Sequence, residues 1–158
     1  MLIRVLLTAT VAAAIATPAQ AALRSPDFMV YLGGEGVAEA PAVHCASGAS
    51  GAKGGVSCMP MALRPVGSCR VDGRPGKRWR EVVLPARGRA RVVRRCYVTR
   101  DGGGAPTLMV NQRWASGGVA CRAVARGRGL AAETELACRN RQGHGFRVAA
   151  PGRVTLRP

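Results

Sequence analysis

Val119-Ala120-Cys121-Arg122-Ala123-Val124-Ala125-Arg126, followed after Gly127-Arg128-Gly129 by Ala132-Glu133-Thr134-Glu135-Leu136-Ala137-Cys138, is the stretch that decides the fold. An extended chain throws successive side chains to opposite faces. Here Val119, Cys121 and Ala123 fall on one face, with Arg122 and Arg126 on the other. In the second half Ala132, Thr134, Leu136 and Cys138 share a face, and Glu133 and Glu135 take the opposite one. Two alternating runs joined by a Gly-x-Gly turn predict an antiparallel hairpin whose polar faces pair acids with arginines.

The same period recurs on both sides of this hairpin. Thr107–Trp114 alternates, which places Leu108, Val110 and Trp114 inward, and Arg91–Arg100 is apolar enough for a strand. The turn between those two runs is read at Asp101-Gly102-Gly103-Gly104. Trp79–Leu84, Phe146–Ala150 and Val154–Leu156 extend the series, and Phe28–Leu32 reads as one strand near the start. Both tryptophans, Trp79 and Trp114, are expected in the core, because their arginine neighbours then point outward. A faint echo links Cys69-Arg70 through Trp79-Arg80 with Cys138-Arg139 through Phe146-Arg147, as two related hairpins would. No stretch beyond the N-terminus shows a 3.6-residue period. The fold expected is therefore all-β: a small antiparallel sandwich or barrel of short strands, stapled by disulfides, with a loop-rich N-terminal segment.

Three parts are read along the chain. Residues 1–21 carry one basic side chain (Arg4), an apolar run from Val5 to Ala16 and a small-x-small ending at Ala19-Gln20-Ala21, the pattern of a cleaved secretory signal. The run is shorter than the ~18 residues that a membrane span needs. Residues 22–65 form a Gly/Ala/Ser-rich segment with one short strand, in which the run from Cys45 to Cys58 reads as a loop clipped at its base. Residues 66–158 form the antiparallel β domain. Periplasmic or extracellular localisation follows from the signal.

All six cysteines, Cys45, Cys58, Cys69, Cys96, Cys121 and Cys138, lie behind the signal. An even number in an exported chain predicts three disulfides, and about 15 pairings are possible. Neighbour pairing is the expectation: Cys45–Cys58, Cys69–Cys96 and Cys121–Cys138. Metal binding is not expected, because no C-x-x-C pair occurs and neither His44 nor His144 stands at ligand spacing from a cysteine cluster. No cofactor motif is present either; Gly102-Gly103-Gly104 lacks the Lys-Ser/Thr ending of a phosphate loop.

Charge carries the functional signal. The 158-residue chain has formal charge +16, and the loss of Arg4 with the signal leaves +15. Only Lys53 and Lys77 are lysines, a preference that GC-rich coding alone produces, but such coding does not remove acids. Arg74, Lys77, Arg78, Arg80, Arg87, Arg89, Arg91, Arg94 and Arg95 crowd nine positive charges into 22 positions, offset there only by Glu81. Charge at this density repels itself unless an anion is bound, although a solvated face that keeps the chain soluble is the competing reading. Arg87, Arg89 and Arg91, two apart, would project to one side of an extended chain. The partner expected is an anionic polymer, a lipid phosphate or an acidic protein. Nucleic acid is not the expected natural ligand of an exported chain, even though arginine and aromatic residues are interleaved.

Two other function classes fit the sequence. One is a structural or inhibitory envelope protein acting through a loop such as 46–57, with charge incidental. The other is a hydrolase of an anionic polymer using Glu133, Glu135 or His144. No catalytic set emerges, however. The glutamates alternate onto the face that carries arginines, whereas acid–base work wants one carboxyl kept protonated by burial, and His144 in Gly143-His144-Gly145 suits a turn.

Overall fold

The computed structural model describes residues 22–33, 42–48, 54–61, 63–98, 104–127 and 132–158. The signal segment 1–21, the centre of the 46–57 run (49–53), residues 101–103 of one expected turn and 128–131 of another lie outside the described residues.

Eleven strands are described: β1 (Asp27–Tyr31), β2 (Ala42–Ser47), β3 (Gly55–Pro60), β4 (Gly67–Val71), β5 (Arg74–Pro85), β6 (Arg91–Tyr97), β7 (Arg113–Ser116), β8 (Val119–Arg126), β9 (Glu133–Asn140), β10 (Gly145–Ala149) and β11 (Arg153–Arg157). All named pairings are antiparallel, and no helix is described. The all-β expectation holds. Among the described residues no helix is long and apolar enough to cross a membrane.

The strands form two sheets. A five-stranded sheet runs β11-β10-β9-β8-β7, a plain meander. A six-stranded sheet runs β1-β2-β3-β5-β4, with β6 also on β5. The 12-residue β5 organises the second sheet. Its C-terminal part pairs with β3 (Cys58 opposite Val82) and its N-terminal part with β4 (Cys69 opposite Gly76), while β6 pairs across residues 77–83.

One buried cluster fills the space between the sheets. Phe28, Val30, Val43, Val56, Val82 and Leu84 come from the six-stranded sheet, and Trp114, Ala123, Leu136, Phe146 and Val148 from the other. The Phe28 and Trp114 rings lie 4.9 Å apart, and the Trp114 indole N–H donates to Ser25 O at 2.8 Å. That bond satisfies a polar handle whose ring is fully buried.

The sandwich is closed along one side. Leu23 bridges to Trp114 of β7, and four residues later the chain enters β1 of the opposite sheet; Thr107 in turn bridges to Met29 of β1 before the chain enters β7. Leu23 N donates to Arg113 O and Leu108 N to Met29 O, each at 2.8 Å. These crossings cover the β1 and β7 edges. The opposite side, between β6 and β11, has no such crossing among the described residues.

The expected disulfides form. Cys45–Cys58 and Cys121–Cys138 join residues directly opposite each other on neighbouring strands, with Cα separations of 4.1 and 4.0 Å, and both pairs face the core. Cys69–Cys96 spans 6.0 Å between β4 and β6, straddling β5 at Gly76. A Cβ at Gly76 would meet Tyr97 O at 2.7 Å and Cys96 Sγ at 3.1 Å, so the bridge needs glycine there.

Several sequence expectations are corrected. Residues 22–65 contribute three strands rather than one, and Cys45–Cys58 lies within the β2–β3 hairpin rather than at the base of a long loop. Small residues such as Ala46, Ser47, Ser57 and Gly55 hid the alternation. Leu108 is buried, but Val110 is 40 % exposed, because the chain turns between Met109 and Gln112 with Asn111 at φ 67°. Trp114 is fully buried, but Trp79 lies opposite Arg95 on the sheet's outer face and is only partly buried.

Candidate anion-binding surface

Directly opposed residues in an antiparallel pair share a face, so the register sorts the arginines. Arg74, Arg78 and Arg80 of β5 lie on the face that continues into the core, as does Arg94, which stands directly opposite Arg80. Lys77, Arg91 and Arg95 lie on the outer face, opposite Tyr97, Val83 and Trp79. Arg87 and Arg89 are exposed in the β5–β6 connection, which bends at Gly88 (φ 98°), so they and Arg91 do not form one straight comb. The nine candidates therefore occupy two faces and a loop.

One of them is engaged internally. Glu81, only 4 % exposed, accepts the Tyr97 hydroxyl and has its second oxygen 3.0 Å from Arg95 Nε. Burial, and then the hydrogen bond to Glu81 and its charge, hold the Tyr97 phenol well above its ordinary value of 10.0. Among the described residues no carboxylate lies within ion-pair distance of Arg78, Arg80 or Arg94.

The register also assembles a set of arginines that the sequence did not single out. On the outer face of the five-stranded sheet, one cross-strand row reads Arg113, Arg122, Ala137, Arg147, Thr155. The next reads Ala115, Ala120, Arg139, Gly145, Arg157. Each of the five strands thus places one arginine in these two rows. Neighbouring strands lie about 4.8 Å apart, so the track crosses roughly 19 Å of sheet. Arg113, Arg122, Arg139 and Arg157 are exposed, and the other positions of the two rows, Arg147 apart, are small: alanine, glycine and threonine. A shallow groove of about 490 Å³ follows part of the track, lined by Arg113, Ala115, Ala120, Arg139 and Arg141 among others.

Two acids share this face. Glu133 is exposed, opposite Arg126. Glu135 is 9 % exposed and lies 3.2 Å from Arg126 Nε and 2.8 Å from Arg147 Nη1. Of the expected pairing of acids with arginines across the hairpin, only the Glu135–Arg126 contact forms among the described residues, diagonally and joined by Arg147 from a third strand; Arg122 stands opposite Ala137 instead. Arg113, Arg122, Arg139 and Arg157 have no such carboxylate among the described residues.

Glu133, Glu135 and His144 are not brought together. Glu135 lies four residues before Arg139, the residue that pairs with Gly145, so His144 stands at the far end of β9, roughly 17 Å along the strand. There the His144 carbonyl accepts the Asn140 N–H at 2.9 Å, closing the turn. Asn140 itself is 5 % exposed, and its amide donates to Pro85 O (3.1 Å) and Gly88 O (2.8 Å), tying the five-stranded sheet to the β5–β6 connection. Nothing in its sequence neighbourhood marked it. At the same end Gly54 (φ 67°) and Gly117 (φ 55°) meet so closely that a Cβ on Gly54 would lie 2.9 Å from Gly117 O.

Comparison with protein-family models, with curated proteins and with solved structures finds no match to this chain.

Proposed function

We propose that this chain is an exported basic β module that binds an anionic envelope or extracellular polymer through surface arginines. The observation that carries the reading is the track in which all five strands of one sheet contribute an arginine to two adjacent rows. Arginine presents planar donors that fit phosphate and carboxylate in pairs. A row of them across a flat, small-residue floor suits a repeating anion more than a single one. Arg113 directly opposite Arg122 is a like-charge pair, which is unfavourable in a sheet until an anion lies between the two. The N-terminal signal pattern and the three disulfides support export to an oxidising compartment.

The test compares two variants with equal loss of charge. Arg113, Arg122, Arg139 and Arg157 are replaced by serine in one, and Arg74, Arg87, Arg89 and Arg91 in the other. Binding to long-chain inorganic polyphosphate is measured against salt concentration. The first variant should lose about three units of slope in the log–log salt plot, at roughly 0.7 per contact on a flexible polyanion. The second should lose one unit at most. Equal losses would mean that net charge alone attracts the polymer and that the track has no special role.

A further inference from the structure

We infer that the open side of the sandwich is a second binding site, for a single hydrocarbon chain carrying an anionic head group. It is separate from the arginine track and does not depend on it. Between β5–β6 and the β10–β11 turn lies a cavity of about 310 Å³. Val82, Val92, Val154, Pro60 and Leu63 contribute its apolar lining, and Arg80, Arg153 and Glu81 its charged residues, with the Glu81 carboxylate taken up by the Tyr97 hydroxyl and Arg95. Gly152 seals one wall, since a Cβ there would meet Pro60 Cβ at 3.1 Å and Leu63 Cγ at 3.3 Å.

The two sides of the sandwich differ in kind. Backbone bridges at Leu23–Trp114 and Met29–Thr107 close one side. On the other, β6 and β11 are edge strands, and side chains of the inner faces remain in water there. Val92, opposite the fully buried Val82, is 47 % exposed, and Leu156, opposite the buried Phe146, is 44 % exposed. Inner-face valine and leucine at such exposure form an unfilled edge of the core. A purely apolar partner would leave the charge at this mouth unused. Arg80 and Arg94 oppose each other directly beside Val82 and Val92, and no carboxylate among the described residues pairs with either or with Arg153. An acyl or alkyl chain against the valines, with a phosphate or carboxylate between the arginines, satisfies both. The volume is at the lower end of ligand cavities, about 300–1,000 Å³, which fits one chain rather than two.

The probe is dodecyl phosphate, titrated below its micelle concentration by calorimetry and compared with ethyl phosphate and dodecyl maltoside. Dodecyl phosphate should bind at least about 100-fold more tightly than ethyl phosphate, the gain from burying a few methylenes. Val92→Trp should remove that advantage while leaving polyphosphate binding intact. The pair Arg80→Ser/Arg94→Ser should weaken dodecyl phosphate tenfold or more and leave dodecyl maltoside unchanged. If Val92→Trp does not fold, as judged by its melting curve, a diazirine-bearing alkyl phosphate replaces it and should label residues 80–94 or 152–156. Equal binding of dodecyl and ethyl phosphate would overturn the inference, as would labelling elsewhere. So would concentration-dependent dimerisation through β6 or β11 that excludes the probe, since a second copy would then be the occupant. Loss of polyphosphate binding in the arginine-track variant, with dodecyl phosphate unaffected, would bear on the track alone.

Discussion

Replacing Asn140 by alanine should destabilise the protein by about 2–3 kcal/mol. The side chain is 5 % exposed and makes three hydrogen bonds: two from its amide to Pro85 O and Gly88 O, and one to its Oδ1 from Gln142 N at 3.0 Å. Gln142 is exposed, so its N–H regains water and little is lost there. The two carbonyls are part-buried at the joint between the sheets, and each forfeits about 1–1.5 kcal/mol when its donor goes. For a domain of this size that corresponds to a drop of roughly 6–10 °C in Tm. Urea unfolding of the oxidised protein at pH 7 measures it, with a constant m-value confirming that the native state alone has changed. Gln142→Ala is the control. It removes an exposed bond to Gly88 N and should cost less than about 0.5 kcal/mol, as exposed bonds do. If Asn140→Ala costs no more than Gln142→Ala, the joint contributes nothing and the reasoning fails.

Other consequences can be checked on the same material. Glu135→Gln releases Arg126 and Arg147 from their shared carboxylate; stability should fall, while polyphosphate affinity measured at fixed salt should rise. Tyr97 has its folded-state value raised, so its contribution is complete below pH 10 and is lost as pH climbs above it. Denaturant midpoints should accordingly fall more steeply above pH 10 in the parent than in Tyr97→Phe. Gly76→Ala should cost about 1–3 kcal/mol through the clash with Tyr97 O, and a thiol titration should detect free Cys69 and Cys96 in part of the population. The purified parent should titrate no thiol among its six cysteines.

What the sequence revealed depended on whether a feature sat within one run of residues. The β8–β9 hairpin was legible because its alternation is carried by side chains that differ sharply in polarity, Cys121 and Leu136 against Arg122 and Glu135. Disulfide pairing followed sequence neighbours because two bridges join consecutive paired strands, while Cys69–Cys96 joins the two strands that flank β5. The β2–β3 hairpin was missed because alanine, serine and glycine give no contrast between faces. Val110 was misplaced by extending a period through a turn that only Asn111 could have signalled. The arginine density at 74–95 is real, but β5 and β6 place alternate residues on opposite faces, so linear crowding is divided by the fold. The track was illegible for the converse reason. Its members come from five strands, one from each, and meet only through register.

The three disulfides are placed so differently that a reductant should distinguish among them. Two lie in the core, with all four cysteines no more than 4 % exposed. Cys69 and Cys96 are only partly buried, and β4 and the first half of β5, which that bridge clasps, hold mostly exposed side chains. Thiolate attack requires access to sulfur. A mild dithiol should therefore open this bridge first, releasing the β4–β5 tip to hydrogen exchange and proteolysis while the sandwich itself persists. Exchange between thiols and this one disulfide gives the molecule a detachable end, whose loosening can be timed separately from global unfolding.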